Sequence, residues 1–320
     1  MNHSPAPLHI PDGFLNIVIS VAFWLATILI VGLAIRKSKA TLKERHIPLM
    51  GIMAAFIFAA QMINFPVAGG TSGHLLGGAL AAVVLGPWSG ILVMTSVISL
   101  QALLFQDGGL LVMGANIFNM GILTALIGYG LFQIVKNQDR GIQFAGIAAA
   151  AWLSVLAGAL TTSFQLWLSS TSPAGLVFPA MLGVHLLIGI GEALITVAAF
   201  AFITQVRPDI LRPQSAEGNG KYGWVIVGSI ISLLVVLISP FASTDPDGLE
   251  RVAENLGFLG QAQDTPFSFL PDYTIPFLGE TEFSTIVAGL VGIIIIGLIA
   301  FFIGKAVQKP APVEEHTHSN

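Results

Sequence analysis

Apolar runs of roughly 20 residues, long enough to cross about 30 Å of hydrocarbon as helices, recur along the whole chain. They fall at 14–35, 47–64, 74–85, 88–105, 111–135, 142–168, 179–205, 224–239 and 285–304. None shows the alternation of a barrel strand, and in lipid a helix satisfies its own backbone polar groups within one segment. The 320 residues are 54% hydrophobic and 9% charged, outside the usage of water-soluble domains. The expected fold is therefore an all-α, polytopic integral membrane bundle. The run 74–85 is the shortest, since a dozen helical residues rise only about 18 Å.

Charge supplies the orientation. Arg36, Lys37, Lys39, Lys43, Arg45, Lys136, Arg140, Arg207, Arg212, Lys221, Lys305 and Lys309 account for twelve of thirteen Lys and Arg. With nine crossings all of them fall on one side, which the positive-inside rule makes cytoplasmic. Arg251 alone lies opposite, where ten of seventeen acids collect, including Asp12, Asp107, Asp247 and Asp272. An acidic outer face attracts cations, but it also simply avoids the positive-inside penalty, and both readings stand. The N-terminus is expected outside and the C-terminus in the cytoplasm of a multi-pass protein of the cell membrane. Residues 1–13 carry no basic n-region, so they do not read as a signal peptide. The organisation expected is an outward segment 1–13, a seven-span core 14–205 and a cytoplasmic linker 206–222. A two-span appendage 223–304 with an outer loop 240–284 follows, then a cytoplasmic tail 305–320.

Without cysteine, any metal must be held by nitrogen or oxygen. Seven histidines occur: His3, His9, His46, His74, His185, His316 and His318. By the topology above, His9 and His74 share the outer surface although 65 residues separate them. A histidine at position two of a mature chain chelates through the terminal amine, its own amide and its ring. If Leu8 were the first residue, Leu8 and His9 would supply three nitrogens of a plane and His74 a fourth. Such a square-planar set favours Ni(II) or Cu(II), with Co(II) also compatible. From spacing alone, however, the default is a lone His9 beside a Pro11-Asp12-Gly13 turn. The loop Gly69-Gly70-Thr71-Ser72-Gly73-His74-Leu75-Leu76-Gly77-Gly78 permits close backbone approach, or else small-residue helix packing.

These segments, in this order, resemble a known family. They are Leu8 to Leu15, Gly69 to Leu80, Gly86-Pro87-Trp88, Gln101 to Phe105, Asp107-Gly108-Gly109, Gly114-Ala115-Asn116 and Phe118-Asn119-Met120. The chain resembles the CbiM/NikM family, the metal-binding S components of energy-coupling-factor transporters for cobalt and nickel. Over residues 8–205 the likeness implies that the Leu8 amine, the His9 amide and ring, and His74 hold the ion. It also implies a transmembrane coupling subunit and separate ATP-binding cassette ATPases as partners. Co(II) or Ni(II) is then the transported substrate and not a cofactor, plausible destinations being cobalamin synthesis or nickel enzymes. A second stretch, Asp245-Pro246-Asp247-Gly248-Leu249-Glu250, resembles the PDGLE domain.

The family's chelate needs a free amine next to the histidine, yet seven residues precede Leu8. Initiation at codon 8 from UUG or CUG, or proteolysis before Leu8, restores it. Met1-Asn2-His3 offers another planar nitrogen set but leaves His74 without a role. Asp12, Asn116, Asn119, His185 and Glu192 are candidates to support the metal ligands or to line the ion's path. His185 and Glu192, seven apart on one helix face, are ionisable groups at membrane depth, where a functional role is the usual presumption. A structural pairing with Asn116, Asn119 or Gln101 is the bland alternative. No phosphate loop occurs, because Gly218-Asn219-Gly220-Lys221 lacks the spacing, so the chain is not expected to be an enzyme or to hydrolyse ATP itself. Lipid is an expected partner and nucleic acid is not. The rival reading is an autonomous secondary transporter with Glu192 and His185 as a proton relay. A membrane enzyme is disfavoured because no nucleophile–base pair stands at recognisable spacing.

Overall fold

The protein is described by a computed structural model covering residues 9–42, 44–206 and 223–308. Leu8, most of the linker 206–222 and the tail from residue 309 lie outside the described residues.

Among the described residues ten helices, short 3-10 turns aside, and one small hairpin follow one another in the order α1 Ile17–Thr41, α2 Ile47–Gln61, β1 Phe65–Val67, β2 Thr71–Gly73 and α3 Gly78–Leu85. Then come α4 Pro87–Phe105, α5 Met113–Val135, α6 Arg140–Leu168, α7 Ala174–Val206, α8 Gly223–Ile238, α9 Gly248–Leu256 and α10 Glu282–Val307. Among the described residues seven helices are long and apolar enough to cross a membrane, and the 15-residue α2 is a shorter apolar helix. Of these seven, α4 is the most buried and α1 and α8 the least. Ile17, Val18, Leu25 and Leu29 of α1 are exposed, as a lipid-facing surface requires.

Side chains set several helix starts. Asn16 accepts from the Ile19 amide, Asp139 from Ile142, Asp247 from Glu250 and Thr281 from Ser284, each satisfying an orphan N–H of the first turn. α4 and α5 contain wide π-type stretches, Gln101–Phe105 and Ile117–Leu123, of the kind that often mark functional sites. α10 packs along α2 at close range: a Cβ on Gly51 would come within 2.8 Å of the Gly297 carbonyl. Small residues give these helices van der Waals contact that lipid alone does not drive. The C-terminal region is thus built into the bundle.

The run 74–85 is not a continuous helix. The chain leaves the antiparallel β1–β2 hairpin at Gly73, continues without regular structure through residues 74–77, and becomes helical only at Gly78. Eight residues of helix rise about 12 Å, and the non-helical stretch before it lengthens the reach of the segment. Gly77, at φ +82°, makes the turn into α3. Unwound backbone at membrane depth is tolerated where it is buried in protein or lines a cavity, and both conditions hold here. The expected first and seventh spans also shift, α1 running on to Thr41 and α7 starting at Ala174 with Pro179 inside it.

Candidate metal site

A cavity of about 80 Å³ sits where the N-terminal segment, the unwound stretch after β2, α5, α6, α7 and the start of α9 meet. His9, His74, His185, Asn116, Asn119 and Asp247 line it, which brings together five residues singled out from sequence. His9 and His74 are buried, with ring centroids 5.8 Å apart and planes at 74°. The volume suits an ion with few waters.

All three imidazoles are oriented in one way. Nδ1 faces a backbone carbonyl that can only accept: Asp107 at 3.0 Å for His9, Leu75 at 3.0 Å for His74 and Met181 at 2.7 Å for His185. Nδ1 therefore carries a proton, and in the neutral ring Nε2 is the nitrogen left with a lone pair for a metal. His9 Nε2 is buried with no hydrogen-bond partner. Among the described residues no three His, Asp or Glu side chains are arranged to hold an ion, so side chains alone do not make a complete site.

The N-terminal segment is fastened to the core by two residues. Asn116 grips Ile10 with both ends of its amide, accepting from Ile10 N at 3.1 Å and donating to Ile10 O at 3.0 Å. Asp12 accepts from the amides of Leu110 (2.9 Å), Leu111 (2.9 Å) and Val112 (3.2 Å). Its carboxylate organises the loop before α5 and does not line the cavity. Asn119 lines the cavity and is bound to Thr162 and Gln165 of α6. Glu192 does not line the cavity either: its two oxygens accept from Leu76 N (2.6 Å) and Gly77 N (3.0 Å).

Residues of the C-terminal region cover the hairpin side of the site. Carbonyl oxygens of Asp245 and Pro246 accept from Ser72 and Thr71 of the hairpin, and Arg251 donates to Gly70 O at its tip. Gly248 lies against His185: a Cβ there would come within 2.9 Å of the ring. Gln263 N donates to Asp12 O at 2.8 Å. Tyr273 donates to Asp107 Oδ2 at 2.6 Å and accepts from Gln101, while Asp107 Oδ1 stands 3.4 Å from His9 Nδ1. Burial, with Asp107 nearby, raises the Asp247 carboxyl to about 7 against the hydrogen bonds from the Glu250 and Leu249 amides. Burial, with Asp107 beside it, raises the Tyr273 phenol well above its usual value. The sequence places Asp107 and Asp247 on an acidic outer face and within the motifs of the resemblance, without a task for either, and marks nothing at Tyr273. Asp12, Asp107 and Asp247 are in fact buried and hydrogen-bonded.

Residues 9–210 match the CbiM family, described as a cobalt uptake substrate-specific transmembrane region, and residues 222–309 match the PDGLE domain. The chain belongs to the CbiM family. A putative fused nickel transport protein NikMN of Archaeoglobus fulgidus is 33% identical, covering 92% of this chain and 97% of the relative. A cobalt transport protein CbiM of Sorangium cellulosum is 32% identical over 64% of this chain and 94% of its own length. A crystal structure of a transition metal transporter superposes with a TM-score of 0.58 at 31% identity, covering 66% of this chain and all of that one. This CbiM/NikMN-family member is a cobalt or nickel transport protein of the membrane.

Proposed function

We propose that the chain is the substrate-binding subunit of an ATP-driven energy-coupling-factor importer. It captures Co(II) or Ni(II) at the outer face and passes it inward, working with a transmembrane coupling subunit and separate ATPases. The N-terminus lies outside and the C-terminus in the cytoplasm. The observation that carries this reading is the meeting of His9 and His74, 65 residues apart, in one buried cavity. The donors are the Leu8 amine, the His9 amide and ring, and His74 Nε2. Closing a chelate ring with the His9 amide uses Nδ1, the nitrogen nearest Cβ, so loading exchanges the Asp107 hydrogen bond for the ion.

A second reading rests on the unpartnered His9 Nε2: on a chain that keeps residues 1–7, that atom and His74 Nε2 hold the ion without the chelate. A planar four-nitrogen Ni(II) is diamagnetic, whereas a two-imidazole site completed by water is not. Intact mass and magnetic susceptibility of the anaerobically loaded protein separate the two. Against a secondary transporter with Glu192 as proton carrier stands the engagement of both its oxygens by amides. Uptake that needs ATP and the co-expressed subunits supports the importer. Uptake by the chain alone in liposomes without nucleotide overturns it.

A further inference from the structure

The Glu192–Leu76 contact and the His74–Leu75 contact meet on a single peptide group. His74 Nδ1 donates to the Leu75 carbonyl at 3.0 Å, and the amide N–H on the other side of that same peptide bond, Leu76 N, donates to Glu192 Oε2 at 2.6 Å. The peptide is planar and conjugated, so charge drawn at its N–H is felt at its C=O. An acceptor as strong as a carboxylate polarises the N–H, makes the Leu75 oxygen a better acceptor, and so strengthens the hold on His74 Nδ1–H. Many metal-binding histidines meet a carboxylate directly, an arrangement that fixes the ring and raises the basicity of the ligating nitrogen. Here one peptide unit is interposed.

The surroundings fit that role. Glu192 is wholly buried on α7, seven residues after His185, which lines the cavity. Its other oxygen takes Gly77 N at 3.0 Å, fixing the unwound backbone at the turn into α3. Gln61 of α2 donates to the Leu76 carbonyl at 2.9 Å, which belongs to the next peptide and lies outside the relay.

We propose that Glu192 is a positioning residue for the metal site, acting on His74 through the Leu75–Leu76 peptide as an indirect carboxylate partner of its imidazole. This rests on the reading of His74 as a metal donor and holds for either mode of His9. The test uses the full-length protein in nanodiscs, with Ni(II) chloride titrated against a competing chelator and the d–d absorption recorded. Glu192→Gln keeps the shape and removes the charge. It is expected to weaken Ni(II) binding about 10- to 100-fold, the usual cost of losing such a partner, and to shift the band. Gln61→Met, which removes a support of the same loop outside the relay, is expected to change affinity less than about threefold. In a His74→Ala background Glu192→Gln is expected to cost nothing further, because the two act as one unit.

Wild-type affinity and spectrum in Glu192→Gln overturn the proposal. So does an undiminished loss in the His74→Ala background, or a Gln61→Met loss as large as that of Glu192→Gln. Should Glu192→Gln lose its helix content or monodispersity, Glu192→Asp takes its place. Its retracted carboxylate is expected to weaken binding, and wild-type affinity there overturns the relay. A wild-type protein that binds no Ni(II) sinks the functional reading itself, whereas wild-type binding with an unaffected Glu192→Gln sinks only the relay.

Discussion

The two histidine-bearing segments reach the cavity by different means. His74 stands on unwound backbone held from within the bundle, by Glu192 of α7 and Gln61 of α2. His9 stands on a segment with no regular structure of its own, held by Asn116, by the Asp12 clamp and by Asp107, which is in turn held by Tyr273 of the C-terminal region. Both histidines lie within the CbiM-type region, but only the His9 segment is also tied to the PDGLE region, through Tyr273 on Asp107 and Gln263 on Asp12.

The largest effect on this contrast is expected from the donors themselves. His74→Ala and His9→Ala should each lose stoichiometric Ni(II) or Co(II) after anaerobic purification, and full occupancy in either variant removes that residue from the site. Asn116→Leu comes next. It strands the Ile10 N–H and C=O in a buried place, at a cost of about 1–3 kcal/mol for each group. The outcome expected is release of the N-terminal segment, read as protease cleavage near residue 10 with α2 to α7 still protected.

Tyr273→Phe keeps the ring stacked on Phe105 at 4.7 Å and removes only the hydroxyl. The buried Asp107 Oδ2 then lacks its donor, and the affinity loss should be smaller than that of Asn116→Leu. It should persist in a Glu192→Gln background, since it reaches the other histidine. A loss that vanishes there contradicts the separation drawn above.

The smallest effect is expected from pH. With Asp247 ordinarily near 3.8 and near 7 when buried under the closed loop, the closed form binds more protons between those values than an open one. Closure therefore weakens as pH rises from about 4 to about 7. Protection of the Ser72 amide, which donates to Pro246 O, should fall over that range when its exchange is referred to the intrinsic base-catalysed rate, and Asp247→Asn should flatten that fall.

Much of the bundle was legible because lipid leaves so few solutions: length and apolarity mark α1, α4 to α8 and α10 directly. The stretch 74–85 misled because its composition suits a buried helix as well as buried unwound chain; what decides is the pairing of Leu76 and Gly77 with Glu192, 115 residues or more away. His9 and His74 were visible through family resemblance, and Asn116 and Glu192 as polar groups among apolar neighbours. Their tasks were not, since a carboxylate that anchors backbone and one that carries protons look alike in sequence. Asp12 stood out beside His9, yet its oxygens serve Leu110, Leu111 and Val112. Nothing marked Tyr273, whose importance comes from a contact 166 residues distant with Asp107.

The seam between hairpin and C-terminal loop is made at Asp245 and Pro246 by oxygens that belong to the main chain. Every amino acid carries such an oxygen, so the acceptors there tolerate a change of side chain so long as the loop keeps its path. At Asp245 and Pro246 what an engineer must preserve is therefore contour rather than residue identity, whereas Thr71, Ser72 and Arg251 bring side chains to the seam. Shortening or lengthening that loop by a single residue should unfasten the cover more surely than replacing Asp245.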